Sequence, residues 1–274
     1  MAHNVYLPKL ARIIDIKTEV EGARAIKTFR TAFLDGSGFT YRCGQCALLS
    51  VFGKGEAMIS ISSSPLIKDY LQFTIMKMGR VTQAMHEMEV GDTLGIRGPY
   101  GNGFPVEEWK GKSLIFAGGG VGLPPIWSVL QTARLQRSEY GDLILFYGAR
   151  SSKDLAYREE LRELAKEISV HLSIDVAEPG WQEYVGFVAA NIAAKKPSPA
   201  NAIAVTCGPP IMIKTVIKAL KDLAFEDGQI YTTVENKMKC GIGKCGRCNV
   251  GRHYVCKDGP VYSWAELKNM PQEY

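Results

Sequence analysis

The stretch Ser113-Leu114-Ile115-Phe116-Ala117-Gly118-Gly119-Gly120-Val121-Gly122-Leu123-Pro124-Pro125 decides how the chain folds. Ser113–Ala117 reads as a buried strand, the glycines as a tight turn, and Ile126–Arg137 as a helix with apolar spacing. The alternation then repeats: strand Leu143–Tyr147, helix Leu155–Ile168, strands His171–Val176 and Ile203–Thr206, helix Ile211–Leu223. Strands alternating with helices imply a parallel sheet, hence an α/β domain. The same region runs 21 residues, Ser113 to Ala133, without a charge, long enough to cross a bilayer. Its glycines and prolines would break a spanning helix where lipid cannot satisfy the freed backbone. No membrane insertion is expected.

Upstream the pattern is different. Ala11–Ile16, Ala25–Phe33, Ala47–Val51, Met58–Ile61 and Gln72–Met76 are short apolar runs, with Asp35-Gly36-Ser37-Gly38 as a turn. They predict a small antiparallel β-barrel or sandwich, with one short helix from Thr82 over Gln83–Met88. Gly98-Pro99-Tyr100-Gly101-Asn102-Gly103 reads as a turn. Downstream, the last forty residues lose regularity and fill with Cys, Gly and Lys. The expected organisation is therefore an α+β multidomain chain: a β-barrel over 1–110, a parallel-sheet α/β domain over 111–234 and a small metal-binding module over 235–274.

Composition agrees with a folded chain. Of 274 residues, 46% are hydrophobic and 22% charged, which excludes disorder and collagen-like repetition. The net charge of +5 is spread along the chain rather than gathered into a patch, so nucleic acid is not an expected partner. The start, Met1 to Lys9, lacks the basic-then-apolar pattern of a secretion signal, and a cytoplasmic location is expected.

Four of the seven cysteines lie between residues 240 and 256. Cys240, Cys245 and Cys248 have the spacing C-x₄-C-x₂-C, the plant-type arrangement for a [2Fe–2S] cluster, and Cys256 supplies a fourth thiolate. A tight loop aiming three sulfurs at one cluster needs the unusual dihedrals that Gly241, Gly243 and Gly246 allow. The rival is a four-cysteine zinc site, which usually pairs two C-x₂-C knuckles. Cys43-Gly44-Gln45-Cys46 is a C-x-x-C outside a thioredoxin-like turn, expected as two buried thiols.

Three further segments have the form of anion or ligand sites. Gly118-Gly119-Gly120-Val121-Gly122 opens a helix, where backbone amides approach a pyrophosphate, although it departs from G-x-G-x-x-G and simple strand–helix packing is the alternative. Gly79-Arg80-Val81-Thr82 opens the short helix, and Arg80 suits an anion; an ordinary cap is the alternative. Cys207-Gly208-Pro209 ends a strand, the position where ligands sit in open α/β sheets.

In this order the elements resemble the ferredoxin–NADP reductase superfamily across essentially the whole chain. Ile59-Ser60-Ile61-Ser62-Ser63 falls where that family packs a strand against the flavin ring, although Met58 stands near the position of its arginine motif. Gly79–Thr82 matches its flavin pyrophosphate loop, Gly118–Gly122 its nicotinamide phosphate loop, Tyr147–Arg150 its adenosine side and Cys207–Pro209 its nicotinamide side. The segment 235–261 is similar to the electron-transfer subunits of sulfhydrogenases, anaerobic sulfite reductase and dihydroorotate dehydrogenase B.

The resemblance implies FAD, NAD(H) or NADP(H) and a [2Fe–2S] cluster. It makes the chain an NAD(P)H-dependent electron-transfer subunit working with the catalytic and iron–sulfur subunits of a larger redox complex. Ser60, Ile61, Ser62 and Ser63 would orient the flavin, and Thr82 with nearby amides would hold its pyrophosphate. Cys207 would line the nicotinamide pocket without acting as a nucleophile. Arg150, Ser151 and Lys153 would suit a 2′-phosphate, but Asp154 opposes one, so the reading leans to NAD(H). A stand-alone reductase for a soluble acceptor is the alternative.

Overall fold

The computed structural model describes residues 4–38 and 40–271, so Met1-Ala2-His3 of the start read above lie outside the described residues. Strands β1 (Lys9–Val20), β2 (Ile26–Phe33), β3 (Cys46–Val51), β4 (Gly55–Ser60) and β5 (Leu71–Met76), helix α1 (Arg80–His86) and strand β6 (Thr93–Tyr100) make the first part. The strands form one antiparallel sheet, order β4-β3-β6-β1-β2-β5. Alternation in β1 turns Ala11 and Ile13 inward, where they meet Leu49, Phe73 and Ile75. Past β4, Ser62 N donates to Gln72 O of β5 (2.8 Å), bringing the two outer strands together.

Strand β6 contains the Gly98-Pro99-Tyr100 stretch that local residue types make look like a turn. Its register with β3 slips between Cys46 and Leu48, whose partners are Tyr100 and Arg97. Gly98 and Pro99 therefore bulge opposite Ala47, and a bulge is where a sheet tolerates proline's missing N–H.

The second part runs β7 (Ser113–Gly119), α2 (Leu123–Leu135), β8 (Leu143–Ala149), α3 (Arg158–Leu164), β9 (Ser169–Ile174), β10 (Tyr184–Val185), α4 (Val188–Lys195), β11 (Ala202–Cys207), α5 (Pro210–Asp222) and β12 (Ile230–Thr233). Its strands pair in parallel in the order β10-β9-β8-β7-β11-β12. Helices α2 and α3 cover one face and α4 and α5 the other. The uncharged stretch is thus a strand, a turn and a helix of 13 residues. Among the described residues no helix is long and apolar enough to cross a membrane. Helix α2 begins before Ile126 because Pro124 and Pro125 sit in its first turn, where their missing N–H groups cost nothing. Helix α3 is shorter than the pattern over 155–168 because Tyr157, at φ +57°, breaks the backbone before it.

In the tail, β13 (Asn249–Val250) and β14 (His253–Tyr254) pair as a hairpin, α6 (Val255–Asp258) follows, and β15 (Val261–Ser263) leads into α7 (Trp264–Leu267). Strand β15 adds antiparallel to β12, so the tail extends the α/β sheet.

One buried joint ties the two sheets. Tyr157 stacks on Trp127 of α2 at 4.6 Å, and its Oη lies 2.6 Å from Thr74 Oγ1 on β5. Removing that hydroxyl strands little, since Thr74 also bonds Thr28. Tyr157→Phe is expected to cost about 1 kcal/mol, read as a lower urea midpoint with unchanged slope.

Candidate functional site

The strand order of the parallel sheet reverses between β7 and β11: β8 and β9 lie on one side, β12 on the other. Ligands of open α/β sheets bind outside the carboxyl ends of the strands at such a switch point. Both expected nicotinamide segments converge there. Gly118 and Gly119 end β7, and Gly120, at φ +53°, turns the chain into α2. A Cβ on Gly122 would strike the Cys207 carbonyl, and one on Gly208 would lie 3.3 Å from Gly119 N. Bare backbone is therefore what lets the two loops touch. Tyr147 Oη donates to Gly120 O (3.1 Å) and accepts from Ala156 N (3.1 Å), pinning the turn from β8.

Cys207 is 1% exposed, and Thr233 Oγ1 donates to its sulfur (2.9 Å). Burial pushes the thiol up to about 12, so it stays protonated at neutral pH, a poor nucleophile. Glu235, missed in the sequence, stands within electrostatic reach of Cys207. Although part of its surface meets solvent, its surroundings desolvate the carboxylate enough to raise its pKa. A carboxylate just past a strand end in the α/β sheet was the signal available for it.

Arg150 is exposed at the end of β8. The next residues turn towards acids: Ser151 Oγ donates to Asp154 Oδ2 (2.7 Å), and Ser152 N to Glu178 Oε1 (3.1 Å). Glu178 was also missed, being distant in sequence.

The expected flavin segments lie on the first sheet. Ser60 is half-buried at the end of β4, whereas Ile61 is in the core. Ser62 and Ser63 are buried behind it; Ser62 Oγ donates to Gln72 O (3.1 Å) and Ser63 Oγ accepts from Gln72 N (3.0 Å). With Trp127 and Tyr157 they line a cavity of about 190 Å³ between the sheet and α2. A larger hollow of about 420 Å³, beside Asp142 and Ser169, sits at the opposite ends of β8 and β9, away from this crevice. Helix α1 starts at Arg80 rather than Thr82, because Thr82 Oγ1 accepts from Gly79 N (2.9 Å) and caps it. Arg80 is exposed, and its guanidinium lies beside Gly55 at the start of β4. Val81 packs near the same glycine, and the glycine turn of β7 lies against β5.

The tail cysteines gather as two pairs. The thiols of Cys240 and Cys245 are in mutual hydrogen-bonding reach, as are those of Cys248 and Cys256. Among the described residues no three Cys, His, Asp or Glu side chains group as they would around one metal ion. Lys244 N donates to Cys240 Sγ (3.3 Å) and Gly243 N to Cys256 Sγ (3.2 Å). Burial opposes ionisation of Cys240, but donation from the Ile242, Cys245 and Lys244 amides outweighs it and holds the thiol at about 6. Burial, with Cys248 beside it, pushes Cys256 up to about 12. The loop docks on β6: Arg97, ion-paired with Glu56 at 2.7 Å, donates to Cys240 O (3.4 Å), and Asn102 Nδ2 donates to Val261 O (2.7 Å).

Residues 116–218 match the family described as an oxidoreductase NAD-binding domain. Residues 235–268 match the iron–sulfur cluster binding domain of dihydroorotate dehydrogenase B. The chain is 40% identical over 241 residues to the gamma subunit of sulfhydrogenase 1 of Pyrococcus furiosus, covering 85% of this chain and 82% of that one. It is 39% identical over 282 residues to the gamma subunit of sulfhydrogenase 2 of the same organism, covering 95% and 96%. Its fold resembles the NADH-dependent reduced ferredoxin–NADP oxidoreductase, with a TM-score of 0.74, 21% identity and coverage of 100% and 95%.

An antiparallel sheet joined to a parallel sheet that matches an oxidoreductase NAD-binding domain, with a tail that matches an iron–sulfur cluster binding domain, defines an oxidoreductase chain with a ferredoxin–NADP reductase-like fold. Within that class, the chain belongs to the family of electron-transfer subunits that includes the sulfhydrogenase gamma subunits and the electron-transfer subunits of dihydroorotate dehydrogenase B.

Proposed function

We propose that this subunit passes electrons between NAD(H), FAD and a [2Fe–2S] cluster, to or from a catalytic partner subunit in a cytoplasmic complex. The observation that carries the reading is the cysteine loop itself, whose amides donate to Cys240 Sγ and Cys256 Sγ and which docks through Arg97 on the same sheet as the flavin segments. Its C-x₄-C-x₂-C spacing is the plant-type [2Fe–2S] arrangement, whereas zinc sites usually pair two C-x₂-C knuckles. In this reading the domains are a flavin-binding β-barrel over 1–110, the nucleotide-binding domain over 111–234 and the cluster module over 235–274.

In this reading Ser60, Ile61, Ser62 and Ser63 set the flavin against β4, with Gly79, Arg80, Val81 and Thr82 at its pyrophosphate. Gly118, Gly119, Gly120, Val121 and Gly122 present backbone to the nicotinamide nucleotide's phosphates, Arg150 borders its adenosine, and Cys207, Gly208 and Pro209 wall its nicotinamide. Cys240, Cys245, Cys248 and Cys256 hold the cluster, with backbone amides donating to the sulfurs of Cys240 and Cys256. When bound, FAD supplies the exchange between a two-electron hydride and single electrons. Asp154 and Glu178 place carboxylates where a 2′-phosphate would need cations, which favours NAD(H) over NADP(H).

The test is the visible spectrum of protein purified without oxygen, before and after NADH and then NADPH. Flavin bands and a broad cluster absorption, bleached by NADH at far lower concentration than NADPH, are expected. Flavin bands over a zinc-loaded tail would leave a flavin reductase and overturn the cluster reading.

A further inference from the structure

The C-x-x-C at 43–46 is left over by the function above, and its two thiols face different parts of the molecule. Cys43 Sγ lies 3.2 Å from Thr132 Oγ1, and Gly44 N donates to Ser128 Oγ (3.3 Å), so this end grips α2. Cys46 Sγ instead donates to Tyr100 O (3.6 Å). Between them, Gln45 Nε2 donates to Gly101 O (2.6 Å), and a Cβ on Gly44 would meet Val261 of the tail at 2.9 Å. The loop is a hub joining the first sheet, the nucleotide-binding domain and the tail.

Within that hub Cys46 has a particular place. In the β3–β4 ladder its partner is Ser60, the half-buried residue of the flavin segment. In the β3–β6 ladder its partner is Tyr100. The Tyr100 ring packs on Gly241, within 2.8 Å of where a Cβ would stand, and its hydroxyl accepts from Arg97, which also donates to Cys240 O. One row of residues, Ser60–Cys46–Tyr100, thus runs across three strands from the flavin segment to the cluster loop.

We propose that Cys46 is a positioning residue for electron transfer, fixing the separation between the flavin segment of β4 and the cluster loop 240–248 through its two ladder partners. Cys46 is 3% exposed, and burial pushes its thiol up to about 12, with Cys256 and Cys248 in electrostatic reach. Buried, and donating to the Tyr100 carbonyl, its side chain fills the space between the two partners. NADH supplies two electrons with its hydride, and the cluster accepts them one at a time as each leaves for the acceptor. A serine is smaller and seeks stronger hydrogen bonds, and an alanine leaves a void, so either lets the loop shift.

This inference rests on the cofactor reading above, and the experiment separates the two. Cys46→Ala, Cys46→Ser and the control Cys43→Ala are purified without oxygen and mixed rapidly with NADH, while flavin and cluster bleaching are followed separately. The cluster's midpoint potential and electron paramagnetic resonance spectrum are recorded for each. Flavin bleaching is expected at the wild-type rate throughout. Cluster bleaching is expected several-fold slower in Cys46→Ala, less so in Cys46→Ser, with a shifted potential or spectrum in Cys46→Ala and none in Cys43→Ala. Wild-type cluster bleaching and potential in a fully loaded Cys46→Ala protein would overturn the inference. So would loss of the cluster from Cys46→Ala with unaltered transfer in Cys46→Ser, which would make the residue structural only. A wild-type protein whose flavin bleaches but which holds no cluster would sink the cofactor reading itself, and the inference with it.

Discussion

Replacing Cys248 by serine is expected to abolish the cluster's visible absorption and the delivery of electrons to one-electron acceptors. Oxidation of NADH by two-electron dyes should continue. Cys248 is 1% exposed, packed with Val234, Val250, Val255, Cys256 and Tyr262. A serine hydroxyl does not ionise at neutral pH, so the iron it served would lose one of its two protein sulfurs. A buried new hydroxyl also weakens this small core by roughly 1–3 kcal/mol. Cys245→Ser separates the two effects, because Cys245 is exposed. It should lose the cluster with little change in thermal stability of the rest of the chain. Iron and sulfide analysis beside a dye assay checks both variants, and a full complement of cluster in either would contradict the ligand assignment.

Gly122→Ala is expected to break the nicotinamide side of the site. The added methyl group would run into the carbonyl of Cys207, which is backbone and fixed by the β7–β11 ladder. Neither strand yields cheaply, and overpacking of this kind costs about 1–3 kcal/mol or more. Because the strained contact is between the two nucleotide loops, flavin reduction by NADH should fall further than stability does. Gly228→Ala is the control: no atom lies within 4 Å of its Cβ position. It should change stability by no more than about 0.5 kcal/mol and leave flavin reduction alone. Stopped-flow bleaching with a parallel thermal melt checks the pair, and equal rates in both would contradict the loop contact.

Much of this was legible because it is local. The period change after Trp109 marks the passage from antiparallel to parallel sheet, and the strands at 113–119 and 202–207 stand where apolar runs put them. The cysteine spacing, likewise, is a short-range signal. What local pattern did not carry was pairing at a distance. Gly98 and Pro99 look like turn residues until the β3 register makes them a bulge. Thr232 faces Tyr262 thirty residues on, so the attachment of β15 to β12 has no local mark. Cys46 belongs to a C-x-x-C in sequence and to the row Ser60–Cys46–Tyr100 in space. Glu178 reaches the loop after β8 only because the chain returns there beyond β9.

Four tail thiols holding a two-iron cluster that electrons reach from NADH would leave a magnetic signature. Low-temperature electron paramagnetic resonance of the oxygen-free protein, before and after NADH, tests it most directly. A silent oxidised sample is expected and, after NADH, a rhombic signal of one reduced [2Fe–2S] cluster integrating to about one spin per chain. A sample that stays silent after NADH, and after dithionite, with zinc in place of iron, would contradict it.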